Sequence, residues 1–226
     1  MTERDYSGRL IVFEGGDGAG KTTQLHLLVD RLVAAGASVV VTREPGGCIA
    51  AEAIRRVLLS DIDISPDAEV LLHTAARIEH VRKLIRPALV RGDFVVCDRF
   101  IDSTYAYQWA GFGADKALVD QMAALVGIDP DLVIVPDVST EIGSDRVLAR
   151  KEGNNRYDKA DVVFRWRVRQ AFLDRAVAGG DRYVVIDADR PIAEVREAIW
   201  QEVDRRFGPL VRSGRTYDIL AKSPVS

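Results

Sequence analysis

Gly15, Gly20, Lys21 and Thr22 stand at the spacing GxxxxGK[ST], inside the stretch LIVFEGGDGAGKTT at residues 10–23. Glycines at that density weaken both strand and helix, so the backbone they expose must serve a ligand. A turn made of Gly15, Gly16, Asp17, Gly18, Ala19 and Gly20 points backbone N–H groups inward around phosphate oxygens. The helical run after it, QLHLLVDRLVAAG, adds the positive end of its dipole. Lys21 would then reach the β and γ phosphates of a nucleoside triphosphate, Thr22 would offer its hydroxyl to Mg²⁺, and Thr23 completes the binding segment.

A phosphate loop does not by itself separate a GTPase from a motor or a kinase. The NKxD sequence with which GTPases hold guanine is absent from the chain. After a later apolar run come Cys97, Asp98 and Arg99, with a carboxylate and a guanidinium side by side where a strand would end. In a doubly wound sheet that edge is the ligand crevice, so Asp98 can hold a metal-bound water while Arg99 faces a second anion. Arg43 in TREPGG follows the second apolar run, Arg77 lies on the helix after Ser65, and Arg150, Lys151 and Arg156 bracket the polar stretch KEGNN. Together they predict cations gathered along a chain of phosphates. An acceptor that is a phosphate monoester, with a second pKa of about 6, is mostly dianionic at neutral pH and needs no general base. The chain indeed shows no His or Glu constellation for proton transfer, and catalysis would consist of positioning and charge neutralisation.

Short apolar runs at 10–13, 38–42, 94–97, 132–135 and 183–186 alternate with longer amphipathic segments, an order that predicts an α/β fold with a parallel sheet. The runs are continuously apolar, as in LIVF, FVVC and LVIV, so both faces of the sheet should be covered by helices. Ser65 and Pro66 start a helix, and Gly36, Gly127 and the pair Gly179 and Gly180 stand past helix ends. Residues 1–212 read as one domain and 213–226 as a loosely held tail. A net charge of −3 argues against a broad grip on nucleic acid, and no window approaches the roughly 18 apolar residues of a membrane helix. Cys48 and Cys97 lack metal or disulfide spacing and read as reduced thiols of a cytoplasmic protein. His26, His73 and His80 are too dispersed for a metal site and, His73 apart, read as surface or packing residues. Tyr6, Trp166 and Phe172 read as packing, and Arg165, Arg167 and Arg169 as a solvated face.

Across nearly its whole length the chain resembles the thymidylate kinase family. FEGGDGAGKTTQ, TREPGG, AAR, DRFIDSTYAYQ, PDLVIVPDV and VIDADRP carry the likeness. The resemblance implies a five-stranded parallel sheet with helices on both sides, of the P-loop NTPase type, and a short lid near 149–160. It further implies transfer of the ATP γ-phosphoryl group to dTMP with Mg²⁺, and a homodimer. Asp17 would face the sugar 3′-hydroxyl of dTMP, Arg43 and Arg99 would hold its phosphate, and Arg77 would donate to thymine O4. Ser103, Thr104, Tyr107 and Gln108 would line the base and sugar side. Gly18 stands where some members place an arginine; those without it supply lid arginines, so Arg150 should close over the transferred group, with Arg156 second and Lys151 beside them.

The chain departs from that pattern at three places. His73 occupies the position of an aromatic residue that stacks on thymine; an imidazole stacks more weakly and brings a titratable group to the base. Trp109 follows where relatives have more glycine, and either reshapes the pocket wall or packs. Pro136 ends the fourth strand, a place where proline is tolerated. These changes leave open another deoxynucleotide acceptor such as dUMP, and a phosphate loop alone is also compatible with a non-catalytic ATP-binding module.

Overall fold

The computed structural model describes residues 6–149 and 161–208, together with the backbone of 216–218. Five strands form the body of a parallel sheet: β1 (Arg9–Phe13), β2 (Val39–Arg43), β3 (Phe94–Asp98), β4 (Leu132–Asp137) and β5 (Tyr183–Asp187). A short sixth, β6 (Thr216–Asp218), pairs with β2, giving the order β5-β4-β1-β3-β2-β6. The expected tail thus carries a strand. Its weak apolar pattern hid it, because a backbone ladder on the edge of β2 requires no apolar side chains.

Side chains of the central strands alternate between the two faces of the sheet. Ile11 and Phe13 point to the layer of α1 (Lys21–Ala34) and α9 (Ile192–Phe207), where they meet Leu25, Leu32 and Ile199. Leu10 and Val12 point the other way, toward Val81, Ile85 and Leu89. Those three residues lie on a continuous helical segment: α3 (Pro66–His80) runs through a π-helical turn, Val81–Ile85, into α4 (Arg86–Val90). β5 departs from the expectation of burial on both faces, since Val185 is 45% exposed at the end of the sheet.

The remaining described helices complete the chain. They are α2 (Ile49–Leu58), the turn α5 (Ile101–Ser103) with a π-helical stretch Thr104–Gly111, α6 (Lys116–Val126), α7 (Thr140–Ala149) and α8 (Val162–Gly179). Helix ends follow local chemistry: Ser65 and Pro66 open α3, and left-handed Gly127 closes α6. Gly179 is still the last helical residue of α8, with Gly180 as its cap. On α8, Phe172 is buried beside Phe164 and Val168 against Val133 and Val135 of β4, whereas Trp166 is 56% exposed instead of packed.

Strand register sets the crevice. Phe13, the last residue of β1, pairs with Asp98 on one side and Ile134 on the other, and Asp98 also pairs with Arg43. The glycine turn after β1 therefore emerges level with the ends of β3 and β2, while β4 runs on past it to Asp137. Phe13 is fully buried at this junction. Phe13→Ala should lower stability by about 3–5 kcal/mol in urea unfolding, and a loss under about 1 kcal/mol would contradict the packing described.

Candidate active site

The glycine turn ends at Gly20, left-handed with φ 80, which caps α1 just before Lys21. The Lys21 ammonium donates to the carbonyls of Gly15 at 2.9 Å and Gly16 at 2.8 Å. Burial, and then the Arg99 guanidinium, pull its pKa down to about 8, against the carboxylates of Asp17, Asp98 and Glu14. The sequence expectation aimed Lys21 at phosphates; here it spans the loop's own carbonyls. Gly18, with φ 82, lies against α7: a Cβ there would fall 2.3 Å from the carbonyl oxygen of Gly143. No side chain fits, which explains why this chain cannot place an arginine at that point. The Gly18 carbonyl instead accepts from Arg146 of α7, a neighbour that sequence reading missed.

Asp98 faces the first turn of α1, where the Thr22 hydroxyl donates to its Oδ2 at 2.7 Å. Its Oδ1 is buried and has no hydrogen-bond partner among the described residues. An unsatisfied carboxylate oxygen beside a hydroxyl oxygen suits a hard divalent cation that keeps most of its shell as water and phosphate oxygens. Among the described residues no group of three His, Cys, Asp or Glu gathers to hold a metal.

Arg99 is the described residue other than glycine that has a positive φ, 69°. That conformation costs about 1 kcal/mol for a side-chain-bearing residue. It is held because the Arg99 N–H donates to Phe13 O at 2.8 Å and the Cys97 thiol to Arg99 O at 3.1 Å. The guanidinium donates through Nη2 to Asp17 Oδ1 at 2.5 Å and through Nη1 to Ser103 Oγ at 3.2 Å. Tyr107 completes the group, its hydroxyl donating to Asp17 Oδ2 at 2.9 Å. Burial pushes the Asp17 carboxyl up, but Arg99, Lys21 and Tyr107 outweigh it and hold the group below the ordinary range.

Glu14 lies beneath this cluster, fully buried. Its Oε1 accepts from the backbone of Phe100 at 2.7 Å and Ser103 at 3.1 Å, and its Oε2 from the Ser103 hydroxyl at 2.6 Å. Burial, and then the charge of Asp102, push its pKa up to about 7. Sequence reading missed it, although a lone carboxylate between an apolar strand and a glycine turn was a signal that something must pair with it.

A cleft of about 300 Å³ opens between the glycine turn, the segment after β2 and α3, with Arg43, Arg55, Arg77 and Arg99 among its walls. Arg43 pairs with Glu52 of α2 at 3.2 Å, and Arg55 donates to Pro45 O at 2.7 Å. Burial and then Arg43 hold the Arg55 pKa below its ordinary value, as expected where cations crowd. Glu52 and Arg55 were not anticipated; their i, i+3 spacing directly after TREPGG was the available signal. Arg77 is buried, its Nε donating to Glu44 Oε2 at 2.5 Å and its Nη2 to Phe100 O at 2.9 Å. Thr104 sits behind it as an acceptor, 3.2 Å from both Nη atoms. Gln108 also lines the cleft and donates to Glu69 at 3.2 Å.

His73 lines the same cleft, with its Nε2 buried and unpartnered among the described residues. Burial, and then Arg77, Arg55 and Arg99, pull its pKa down to about 3. The ring is therefore neutral at neutral pH, which corrects the expectation of a titrating group at the base. Trp109 packs with Val70 and Tyr105, away from the role of a reshaped wall. Pro136 lies within β4, opposite Ile186. Arg169 departs from the expected solvated face, gripping Asp137 with two bonds of 2.7 Å, whereas Arg167 is exposed and donates to Gly111 O at 3.1 Å. His80 is wholly buried and hydrogen-bonded through both ring nitrogens. Arg150, Lys151 and Arg156 lie outside the described residues.

The family model for thymidylate kinases matches residues 13–199. The chain is 45% identical over 199 residues to the thymidylate kinase of Methylococcus capsulatus, covering 87% of this chain and 95% of that protein. It is 49% identical over 191 residues to that of Dinoroseobacter shibae, covering 83% and 92%. The crystal structure of thymidylate kinase from Ehrlichia chaffeensis is similar with a TM-score of 0.72 at 36% identity, over 87% of this chain and 99% of that one.

The depressed His73 pKa has a measurable consequence. Between about 3 and the unfolded value of 6.5 the folded chain binds fewer protons at this site, so its stability contribution is complete above 6.5 and is lost as pH falls. Between pH 7.5 and 5.5 the protein should lose on the order of 1 kcal/mol more than His73→Phe does in urea unfolding. Glu14 acts with the opposite sign but is common to both proteins. Parallel pH curves would refute the dry ring.

Proposed function

The chain belongs to the thymidylate kinase family, and from that membership we propose that it transfers the γ-phosphoryl group of ATP to dTMP, yielding dTDP and ADP. One observation supports the reading above the others: the cleft of arginines shares Asp17 with the phosphate loop and Thr22 with the helix after it, and Asp98 at the end of β3 lines it beside them, so two anions can lie end to end.

In this reading Arg43 and Arg99 hold the dTMP phosphate, with Arg55 beside them, and Asp17 takes the sugar 3′-hydroxyl. Arg77 presents donors to thymine O4, where cytosine carries an amino group, so the wrong base leaves buried donors unpaired. His73 stacks on the base as a neutral ring, and Ser103, Tyr107 and Gln108 line its surroundings. Thr104 acts indirectly, by holding Arg77.

On the donor side, residues 15–23 cradle the ATP phosphates, and Lys21 exchanges the carbonyls of Gly15 and Gly16 for β and γ oxygens. Thr22 and Asp98 would hold Mg²⁺, which when bound offsets charge on the β and γ phosphates. The acceptor phosphate attacks as a dianion, so the chain's residues orient and neutralise and do not move a proton. Arg150, with Arg156 and Lys151, closes from the lid at about 149–160 over the group in transfer. We assign residues 1–212, to whose sheet β6 is added, to one catalytic domain acting as a cytoplasmic homodimer without a nucleic-acid partner; the net charge of −3 supports the last point.

An ADP-release assay over dTMP, dUMP, dCMP, dGMP and UMP should show kcat/KM for dTMP exceeding that for dCMP by about 100-fold or more. Preference for another nucleotide would remove the role given to Arg77. Arg150→Ala should lower kcat by at least about 100-fold, in the manner of an arginine that meets transition-state charge. A kcat within a few-fold of the parent would dismiss that lid assignment.

A further inference from the structure

We propose that His80 is a positioning residue for Arg77, acting through Glu44 to govern how firmly the acceptor's base is held; this rests on the dTMP reading above. His80 ends α3, three residues beyond Arg77 and on the same side of the helix. Its Nδ1 lies 2.9 Å from Glu44 Oε1, and its Nε2 lies 2.7 Å from the Thr42 hydroxyl. The other oxygen of Glu44 receives the Arg77 Nε–H at 2.5 Å. Thr42 and His80 are 0% exposed, Glu44 4% and Arg77 3%. The four side chains form an unbroken dry relay from β2 to the wall of the cleft.

The direction of the relay follows from what each group can donate. A carboxylate only accepts, so Nδ1–H donates to Glu44, and in that tautomer Nε2 accepts from the Thr42 hydroxyl. Gly47, left-handed at φ +86, makes room for the imidazole: a Cβ there would fall 2.3 Å from Nε2 and 2.6 Å from Thr42 Oγ1. Glu44 thus has each oxygen committed, one to His80 and one to Arg77. Remove the imidazole donor and a buried carboxylate oxygen is left unpaired, so the carboxylate turns to find another partner and Arg77 loses its fixed Nε contact. Phe100 O and Thr104 still hold the far end of Arg77, so the guanidinium stays in the wall but pivots.

Two substitutions separate this relay from simple filling of the core. His80→Asn keeps a donor where Nδ1 stood and gives up the Thr42 contact. His80→Gln reaches toward Thr42 and gives up the donor to Glu44. Steady-state kinetics should show the dTMP KM within about three-fold of the parent for His80→Asn and raised about ten-fold for His80→Gln, as for one lost charge-assisted hydrogen bond. The ATP KM and kcat should change little in either. Equal dTMP effects in the two variants, or an ATP KM that rises in step, would overturn the relay. Where a variant does not fold, the unmodified protein supplies the readout: the His80 ring ¹⁵N resonances should move on saturation with dTMP but not with ADP, and resonances unmoved by dTMP overturn it equally. The acceptor assignment is tested separately by the parent's own activity. If the parent uses another nucleotide, that assignment fails and the comparison of Asn with Gln is made on that nucleotide.

Discussion

Everything at the site depends on a register: the last residue of β1, Phe13, lies beside Asp98 of β3, and Asp98 lies beside Arg43 of β2. Parallel pairing brings three strand ends to the same height, so the glycine turn, the metal-ready carboxylate and an arginine emerge at one edge. A slip of one residue would exchange the faces of the strand and send Asp98 or Arg99 into an apolar layer. The apolar layers on both faces of the sheet hold that register against slippage.

Given the register, the harder problem is electrostatic. Cations and carboxylates crowd the partly buried space around Lys21 and the cleft beside it, and each burial would be unfavourable alone. The chain solves this by committing its carboxylates: Asp17 to Arg99 and Tyr107, Glu44 to Arg77 and His80, and Glu14 to backbone N–H groups and Ser103. What is left uncommitted is informative. Among the described residues three buried side-chain polar atoms have no partner, Gln24 Oε1, Asp98 Oδ1 and His73 Nε2, and the last two belong to residues lining the cleft. Residual polarity of this kind is what a ligand can satisfy.

Strain concentrates where function does. Arg99 accepts a left-handed backbone, and with it the chain turns sharply from β3 into α5 while the guanidinium reaches back to Asp17. The next stretch is π-helical from Thr104 to Gly111, a form that occurs mostly as short insertions at functional sites. It supplies Thr104, Tyr107 and Gln108, each to a different partner.

The phosphate loop, the parallel sheet and the cations Arg43, Arg77 and Arg99 were legible in the sequence because each is a local pattern: a glycine spacing, an apolar run, a charge at a strand or helix position. Motif likeness then added the acceptor. Glu14, Glu52, Arg55 and the buried role of His80 were not legible, since a charged residue on a helix or beside a turn looks the same whether it faces water or a partner. The Arg169 to Asp137 grip escaped for the same reason, and the strand at Thr216–Asp218 because an edge ladder of backbone bonds leaves no apolar pattern to read. By itself, then, the sequence determined which chemistry is available and in what order along the chain. Only the tertiary structure decided which charges neutralise one another and which stay open to a ligand, because pairing depends on distance and exclusion of water between segments far apart in sequence.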